Sequence, residues 1–175
     1  SWLNDKQDIY FNHNRLSIID LSDVANQPME DESGRYVITY NGEVYNFSEL
    51  RKELETFGFS FKTFSDTEVI LYSYIYWGKN CLNKFRGMFA FSIYDNKTNN
   101  LFLARDRFGI KPLIYYQNRK GFIFSSEIKV IESLVGSELE IDHTSVIDYF
   151  SFGSIRQPHT IYKDVYFLLP GHYAI

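Results

Sequence analysis

The first quarter of this chain contains short hydrophobic runs of the length expected for β-strands. Leu16–Asp20 predicts a strand, and Tyr36–Tyr40 and Glu43–Tyr45 predict a β pair on either side of Asn41 and Gly42. An Asn-Gly step between two such runs is a strong local signal for a hairpin turn, which on these residues alone is favoured about three to one over an oxyanion hole. The local pattern therefore predicts a turn at Asn41 and Gly42.

Helical spacing follows the β pair. Asn46 with Glu49 three residues later forms a capping-box pattern, which is typical of a helix start. The residues Leu50, Leu54 and Phe57 then fall on one face of this helix, and the glycine after them would end it. We expect these three apolar side chains to pack inward.

A second helix is predicted over Asp66–Trp77, where Ser65 and Glu68 repeat the capping pattern and Gly78 provides the stop. Later runs predict strands over Met88–Tyr94, Leu101–Arg105, Leu113–Tyr116 and Phe122–Phe124, and helices over Glu127–Leu134 and Thr144–Phe150. Strands on either side of paired helices favour an α+β layered domain, with one sheet or two.

Composition narrows the class of protein. The chain has 175 residues, of which 45% are hydrophobic and 18% aromatic, and this fits one folded domain with a large core. The net charge of −4 is spread along the chain, so no basic face indicates nucleic-acid binding. No apolar stretch approaches the roughly 20 residues that span a membrane. Neither nucleic acid nor a membrane is predicted as a partner.

Cysteine and histidine usage argues against disulfides and metals. Cys81 is the single cysteine, so no disulfide can form within the chain, and a reducing, cytoplasmic setting is the simplest interpretation. The four histidines lie far apart and match no metal-ligand spacing. We expect neither a metal nor a cofactor in this chain. It begins at Ser1 and ends on a hydrophobic run, which we interpret as two cuts through a longer polypeptide.

Seven segments, taken together and in order, resemble the glutaminase domain of asparagine synthetase, a class II glutamine amidotransferase. They are Arg15–Asp20, Gln27–Met29, Asn41–Asn46, Ser65–Glu68, Arg86–Phe91, Ala104–Leu113 and Phe124–Glu127. Their order and spacing are also similar to the family's, and the resemblance covers nearly the whole chain. Other class II amidotransferases share the arginine, the Asn-Gly pair and the aspartate. The surrounding sequence motifs, Arg-Leu-Ser-Ile and Asn-Gly-Glu-Val-Tyr-Asn, resemble those of the asparagine synthetase branch.

The resemblance implies a fold and a domain organisation. The family fold is an α+β, four-layer αββα sandwich of the N-terminal-nucleophile hydrolase type, here lacking its first strands. Residues 1–175 would be a partial glutaminase domain. The synthetase domain would be absent, because Leu169–Tyr173 is similar to the family's junction between the two domains.

The Asn-Gly pair acquires a second interpretation from the resemblance. Asn41 and Gly42 resemble the family's oxyanion hole, in which the Asn side chain and the Gly backbone each donate an N–H to the developing negative charge. Glu43 resembles the residue beside them at the glutamine pocket, although locally it is simply a carboxylate at a strand edge. A tight turn and an oxyanion hole remain compatible at this stage.

Glutamine also has an α-carboxylate and an α-ammonium that a specific pocket must bind. Arg15 resembles the arginine that binds the carboxylate, for which a planar guanidinium is suited; the alternative is an arginine paired on the surface. Asp66 resembles the aspartate that receives the ammonium, and the alternative is an acid that caps the first turn of a helix. By resemblance Leu16, Ile18 and Ile19 line the glutamine site, with backbone contacts from the two isoleucines, although both read equally well as core strand residues.

The family nucleophile is missing from this sequence. In the family it is an N-terminal cysteine whose own α-amine acts as the base, and it lies several tens of residues before the arginine that Arg15 resembles. Residue 1 here is Ser1, and Cys81 lies mid-chain, where a buried, inert thiol is the usual role. We expect this chain to be inactive by itself.

A basic cluster in the second half is a tempting but weak signal. Arg105, Asp106, Arg107 and Lys111 lie close together, yet no glycine-rich phosphate loop precedes a helix there. An internal ion-pair network, or contact with a second domain, is the better prediction.

Together these observations predict a function for the parent protein. The resemblance implies a cytoplasmic ligase that hydrolyses L-glutamine and uses the ammonia for ATP-dependent amidation of aspartate, with ATP and Mg²⁺ bound in a covalently linked synthetase domain. Two alternatives remain open: an amidotransferase for another carboxylate acceptor, and a non-catalytic glutamine-binding module. A homodimer is compatible with the sequence.

Overall fold

The structure is a computed structural model and describes residues 1–14 and 25–175. Four of the predicted site residues lie outside the described residues, namely Arg15, Leu16, Ile18 and Ile19, as does the predicted strand Leu16–Asp20. Their predicted roles stay predictions.

The described residues begin with three two-residue strands and one strand of nine residues, followed by two helices, four strands, two further helices and two short final strands. The strands are β1 (Trp2–Leu3), β2 (Tyr10–Phe11), β3 (Met29–Glu30), β4 (Tyr36–Val44), β5 (Gly87–Asp95), β6 (Asn100–Arg105), β7 (Ile114–Asn118), β8 (Gly121–Ser125), β9 (Val165–Phe167) and β10 (Tyr173–Ala174). The helices are α1 (Phe47–Thr56), α2 (Asp66–Trp77), α3 (Ile128–Val135) and α4 (His143–Phe152), with 3₁₀ turns over Gly78–Asn83 and Gly136–Glu138.

The chain divides into two compact units. The first comprises Ser1–Leu103 with Ile175, and the second comprises Ala104–Ala174, so the division falls within β6. The first unit contains α1 and α2 beside strands β3, β4 and β5, which are neighbours in that order. Because both units mix helices with antiparallel strands, the predicted α+β class is confirmed.

The predicted hairpin turn at Asn41 and Gly42 is wrong. Both residues lie inside β4, a continuous strand of nine residues that pairs antiparallel with β5 along its whole length, with Gly42 opposite Phe89. A type I′ turn needs a positive φ at both central residues, and of these two only Gly42 has one, at +151°. The nine cross-strand partners of β5 therefore outweigh the local turn preference.

The capping box predicted at Asn46 is also wrong. Its side chain makes no capping hydrogen bond to α1. Instead the Asn46 amide donates to the carbonyl of Lys84 at 2.9 Å and accepts from the N–H of Arg86 at 2.9 Å, which ties the start of α1 to the segment that leads into β5. Leu50 and Leu54 are buried as predicted, whereas Phe57 is exposed and stacks on Tyr76.

Helix α2 agrees with its predicted bounds, from Asp66 to Trp77. Its N-cap is Ser65, whose hydroxyl accepts from the N–H of Glu68 at 3.4 Å. The Glu68 carboxylate does not accept from the N–H of Ser65, as a capping box would require. It accepts instead from the backbone N–H of Lys62 and from the N–H and hydroxyl of Thr63. The serine part of the predicted capping box is thus present, whereas the Glu68 side chain holds the loop before the helix.

In the second unit, β7 lies between β8 and β9 in a three-stranded antiparallel sheet. Ile114 and Tyr116 of β7 and Val165 of β9 form a buried cluster with Ile131 of α3. The β7–β8 hairpin and helices α3 and α4 lie where the sequence predicted them, each within a few residues.

Candidate active site at the edge of strand β4

One edge of β4 carries backbone donors that, among the residues the structure describes, no strand covers beyond the first part of β4. Strand β3 pairs only with Val37 and Ile38. Farther along, the N–H of Tyr40 donates to the side-chain oxygen of Gln27 at 2.6 Å, and the N–H of Val44 donates to Oδ2 of Asp66 at 3.0 Å. Two side chains therefore take the place of a neighbouring strand.

Gly42 lies midway between these two capped positions. Alternate backbone N–H groups of a strand point to the same side, so the N–H of Gly42 points with those of Tyr40 and Val44, away from β5. The N–H of Tyr45 points the other way and donates to Arg86, as this alternation requires. The geometry thus directs the Gly42 N–H toward the edge of β4 that carries the Gln27 and Asp66 side chains.

Gly42 is also a position where only glycine fits. A Cβ built on it would lie 2.2 Å from the carbonyl oxygen of Met88 in the facing strand. The facing Gly87 has the same restriction, because its Cβ would lie 2.1 Å from the carbonyl oxygen of Glu43. The two backbones approach closely here, and this explains both glycines without any reference to catalysis.

Side chains alternate across the two faces of β4. One face is polar, and there the Thr39 hydroxyl lies 2.7 Å from that of Ser92. Asn41 and Glu43 follow on the same face, where Asn41 is opposite Ala90 and Glu43 is opposite Met88. Asn41 is partly exposed, and within residues 1–14 and 25–175 its side-chain amide has no hydrogen-bond partner. The Asn41 amide and the Gly42 N–H are consequently adjacent donors, and no other described residue engages either of them.

The other face of β4 is buried against α2. Tyr40 points from this face to the first residue of α2, and its hydroxyl donates to Oδ2 of Asp66 at 2.6 Å. Asp66 is only 5% exposed, and burial raises the pKa of its carboxyl above the usual value, while hydrogen bonds from Tyr40 and Val44 act in the opposite direction. Burial, followed by the charge of Asp66, raises the pKa of Tyr40 far above its usual value, so its hydroxyl keeps its proton and remains a donor.

The structure therefore brings four of the predicted site residues together. Asn41, Gly42 and Glu43 are consecutive on β4, and Asp66 is joined to the next residue, Val44, by a direct hydrogen bond. A carboxylate suits a cationic ammonium, and two neutral N–H donors suit an oxygen on which negative charge develops.

Sequence reasoning missed two residues of this arrangement, Gln27 and Tyr40. Gln27 lies in a segment quoted for the family resemblance, but its link to the Tyr40 N–H and to the Thr67 hydroxyl depends on tertiary contacts. For Tyr40 a signal was present: a tyrosine in a buried strand needs a partner for its hydroxyl, and Asp66 is that partner.

Cys81 is fully buried, and burial raises the pKa of its thiol to about 12. A thiolate is the reactive form, so a thiol with this pKa is a poor nucleophile at neutral pH. The prediction that Cys81 is a buried thiol is confirmed, and it takes no part in the site on β4.

The basic cluster of the second unit forms an internal network. Arg105 is 3% exposed and donates to the carbonyl oxygens of Gly109, Lys111 and Leu168 at 2.6–2.7 Å. The Asp106 carboxylate accepts from backbone N–H groups of the loop that follows it. The predicted ion-pair network is therefore wrong for Arg105: its network is internal, but the acceptors are neutral carbonyl oxygens rather than carboxylates. Because the guanidinium of Arg105 already donates to these oxygens, it is not available to a phosphate.

Neither a metal-binding cluster nor a membrane-spanning helix is found among the described residues. No group of three or more His, Cys, Asp and Glu side chains is gathered to hold a metal ion within residues 1–14 and 25–175. In the same part of the chain, no helix is both long and apolar enough to cross a membrane.

The chain has relatives among known proteins, both in sequence and in fold. The glutamine amidotransferase domain model matches residues 1–175, and the chain belongs to this family. Among solved structures, the glutamine phosphoribosylpyrophosphate amidotransferase of Bacillus subtilis matches 63% of this chain and 26% of its own, with a TM-score of 0.53 and 26% identity. A structure described as the allosteric regulatory enzyme of purine biosynthesis gives a TM-score of 0.52 at 27% identity over 63% of this chain and 25% of its own. These likenesses confirm the predicted fold class.

The resemblance to glutamine-hydrolysing asparagine synthetases is confirmed as well. Asparagine synthetase 3 of Bacillus subtilis is 41% identical over 94% of this chain and 27% of its own length. Asparagine synthetase 1 of the same organism is 42% identical over 92% and 25%, and a putative asparagine synthetase of Mycobacterium tuberculosis is 41% identical over 95% and 26%. The chain spans about a quarter of the length of these relatives.

Proposed function

We propose that this chain is the glutaminase part of a cytoplasmic, glutamine-hydrolysing ligase similar to asparagine synthetase. In this proposal the parent protein takes ammonia from L-glutamine and uses it to amidate aspartate at the expense of ATP. The observation that carries the proposal is the edge of β4, where the Gly42 N–H lies between two capped N–H groups, next to the Asn41 amide and close to Asp66.

Each group of glutamine would meet a matching group of the chain. The α-ammonium would bind the Asp66 carboxylate, which is held in place by two hydrogen bonds. The α-carboxylate would bind the guanidinium of Arg15, as the family resemblance implies. The remaining contacts would come from the segment after that arginine and from β4, namely Leu16, Ile18, Ile19 and Glu43.

The chemistry would proceed through a tetrahedral intermediate. A cysteine thiolate at the N-terminus of the parent protein would attack the side-chain amide carbon of glutamine, and the carbonyl oxygen would become negative. The Asn41 side chain and the Gly42 N–H would stabilise that oxygen. Collapse of the intermediate would release ammonia and leave a thioester, which water would hydrolyse to glutamate. Cys81 does not serve as this nucleophile, because its thiol is buried and its pKa is raised to about 12.

The ATP-dependent half of the reaction would take place in the linked synthetase domain. ATP and Mg²⁺ would bind in that domain, as the resemblance to asparagine synthetase implies.

A second acceptor remains a specific alternative. A protein named amidase chry2, from Gibberella zeae, is 32% identical over 99% of this chain and 25% of its own length. A similar domain is therefore also found in a protein that is not named asparagine synthetase. The glutaminase site would be the same in both cases. Product analysis of the parent protein with aspartate, ATP and glutamine separates them, because asparagine forms only if aspartate is the acceptor.

Glutaminase kinetics of the parent protein test the proposal. Asn41→Ala should lower kcat about 10²–10³-fold with little change in KM, because an oxyanion-hole donor acts in the transition state. Arg15→Ala and Asp66→Asn should chiefly raise KM for glutamine. Asn80→Ala is the matched control, since Asn80 is an exposed asparagine outside the site, and it should behave as the wild type. A parent protein that binds glutamine without releasing glutamate would instead be a binding module, and unchanged kinetics of all the site variants would contradict the assigned roles.

A further inference from the structure

We propose that Tyr40 is a positioning residue for the carboxylate that receives the glutamine ammonium. Its hydroxyl fixes the orientation of Asp66 and helps to keep this buried carboxyl ionised. The inference rests on the proposed function, since it assigns to Asp66 the role of ammonium ligand.

The geometry places Tyr40 and Val44 on one carboxylate oxygen. The Tyr40 hydroxyl lies 2.6 Å from Oδ2 of Asp66, and the N–H of Val44 lies 3.0 Å from the same atom. Both donors belong to β4, two residues on either side of Gly42. One strand therefore carries the oxyanion donors and also fixes the distance from them to Asp66. A carboxylate has about four acceptor positions, so the two donors leave room for an ammonium.

The surroundings of Asp66 make this hydrogen bond important. Tyr40 and Asp66 are 4% and 5% exposed, and on the same face of the sheet β5 contributes Phe89 and Phe91. A charge in such surroundings needs hydrogen-bond donors.

The two elements that carry this pair, β4 and α2, have two other charged side chains. Glu43 on β4 acts electrostatically on Tyr40, and like Asp66 it raises the pKa of the phenol. Glu68, two residues after Asp66 on α2, is held by the N–H groups of Lys62 and Thr63. Both groups are acids, so neither supplies a positive charge for Asp66, and within residues 1–14 and 25–175 the side-chain donor to Asp66 is the Tyr40 hydroxyl.

Removal of this hydroxyl has a predictable consequence. A donor to the charged form of an acid lowers the pKa of that acid, and without it the pKa of Asp66, already raised by burial, should rise further. The carboxyl would then become protonated at a higher pH and would lose its attraction for an ammonium. A substrate without an ammonium should not respond to this change.

The test compares L-glutamine with its desamino analogue, glutaramic acid, in the parent protein. Tyr40→Phe should move the acid limb of the kcat/KM profile for glutamine up by about one pH unit, the equivalent of one hydrogen bond, and lower kcat/KM about 10-fold on that limb. The preference for glutamine over the analogue should shrink by a similar factor. The value of kcat at saturating glutamine and high pH should remain near that of the wild type.

Tyr94→Phe is the matched control. Tyr94 is 2% exposed on the neighbouring strand β5, and its hydroxyl also donates a hydrogen bond, but to Asn99. It should change neither the pH profile nor the substrate preference. If the wild-type protein hydrolyses glutamine and Tyr40→Phe leaves both readouts unchanged, only the role of Tyr40 is overturned. If the wild-type protein does not act on glutamine, the proposed function itself is overturned.

Discussion

Gly42 illustrates, at the scale of one residue, how backbone geometry and candidate chemistry coincide. Its φ of +151° and the 2.2 Å approach of a would-be Cβ to the Met88 carbonyl oxygen both exclude a side chain. The same backbone conformation directs its N–H toward the edge of β4 that carries the Gln27 and Asp66 side chains. A mutation at Gly42 would therefore act on folding as well as on any oxyanion hole.

We predict that Gly42→Ala destabilises the protein by about 2 kcal/mol or more, because a backbone carbonyl cannot move aside as a flexible side chain can. Chemical denaturation measures this change. Gly136→Ala is the control: nothing lies within 4 Å of its Cβ position, and its φ of −49° suits any residue. We expect the control to stay within about 0.5 kcal/mol of the wild type or to be slightly more stable. Equal losses in both variants would refute the steric explanation.

The residue-scale predictions were uneven for a physical reason. Residue type alone identified Asn41, Gly42 and Asp66 as site candidates, and they lie close to one another along β4 and α2. Gln27 and Tyr40 are equally close, but a glutamine before a proline and a tyrosine in a strand have many ordinary roles. Their contribution depends on which atoms the folded chain places within 3 Å.

At the scale of elements, two N-terminal caps with similar sequence patterns turned out to differ. Ser65 caps α2 through its hydroxyl, whereas the Asn46 side chain bridges the Lys84 carbonyl and the Arg86 N–H. Serine, asparagine and aspartate all suit an N-cap, but only a side-chain amide both donates and accepts at the reach that this bridge requires.

We predict that Asn46→Ser costs about 1 kcal/mol of stability, even though serine is as good a cap as asparagine, because two backbone groups in part-buried hydrogen bonds lose their partner. The reference variants are Ser65→Ala, which should cost about 1 kcal/mol through the lost cap, and Ser65→Asp, which should cost little. Thermal and urea unfolding give these values. A neutral effect of Asn46→Ser would mean that Asn46 acts as an ordinary cap.

Helix bounds were predicted better than the course of β4. Helix α2 begins after a serine cap and ends before Gly78, and both signals are local, so the sequence is sufficient to predict them. The interruption expected at Asn41 did not occur, because nine partners on β5, some fifty residues away in sequence, hold β4 extended. A local turn preference is small beside a full ladder of hydrogen bonds.

For the whole molecule, one ion pair should dominate the response of stability to acid. Arg35, just before β4, binds Asp95 at the end of β5 through two hydrogen bonds of 2.8 and 2.7 Å. The hydrogen bonds from Arg35 hold the pKa of Asp95 well below its usual value. The folded state therefore binds a proton at Asp95 less readily than the unfolded state does. This contribution is present above the unfolded pKa of about 3.9 and is lost as the pH falls through the folded value.

We predict that Asp95→Asn lowers the unfolding midpoint at pH 7, and that the gap to the wild type narrows steadily below about pH 4. Differential scanning calorimetry across this range measures both quantities. Glu140→Gln is the control, since the Glu140–Lys163 pair is exposed and should contribute little at either pH. A gap that stays constant with pH would show that Asp95 acts by packing rather than by its charge.

Local signals and residue types were enough to predict the α+β class, the bounds of α2, the membership in the amidotransferase family and the main site candidates. Two features became evident only in the folded chain. Asn41 and Gly42 lie in a continuous strand, and Gln27 and Asp66 accept from the N–H groups of Tyr40 and Val44 on either side of Gly42. The reason is physical: a hydrogen bond depends on the distance between two atoms, and residues far apart in sequence come within that distance only when the chain is folded.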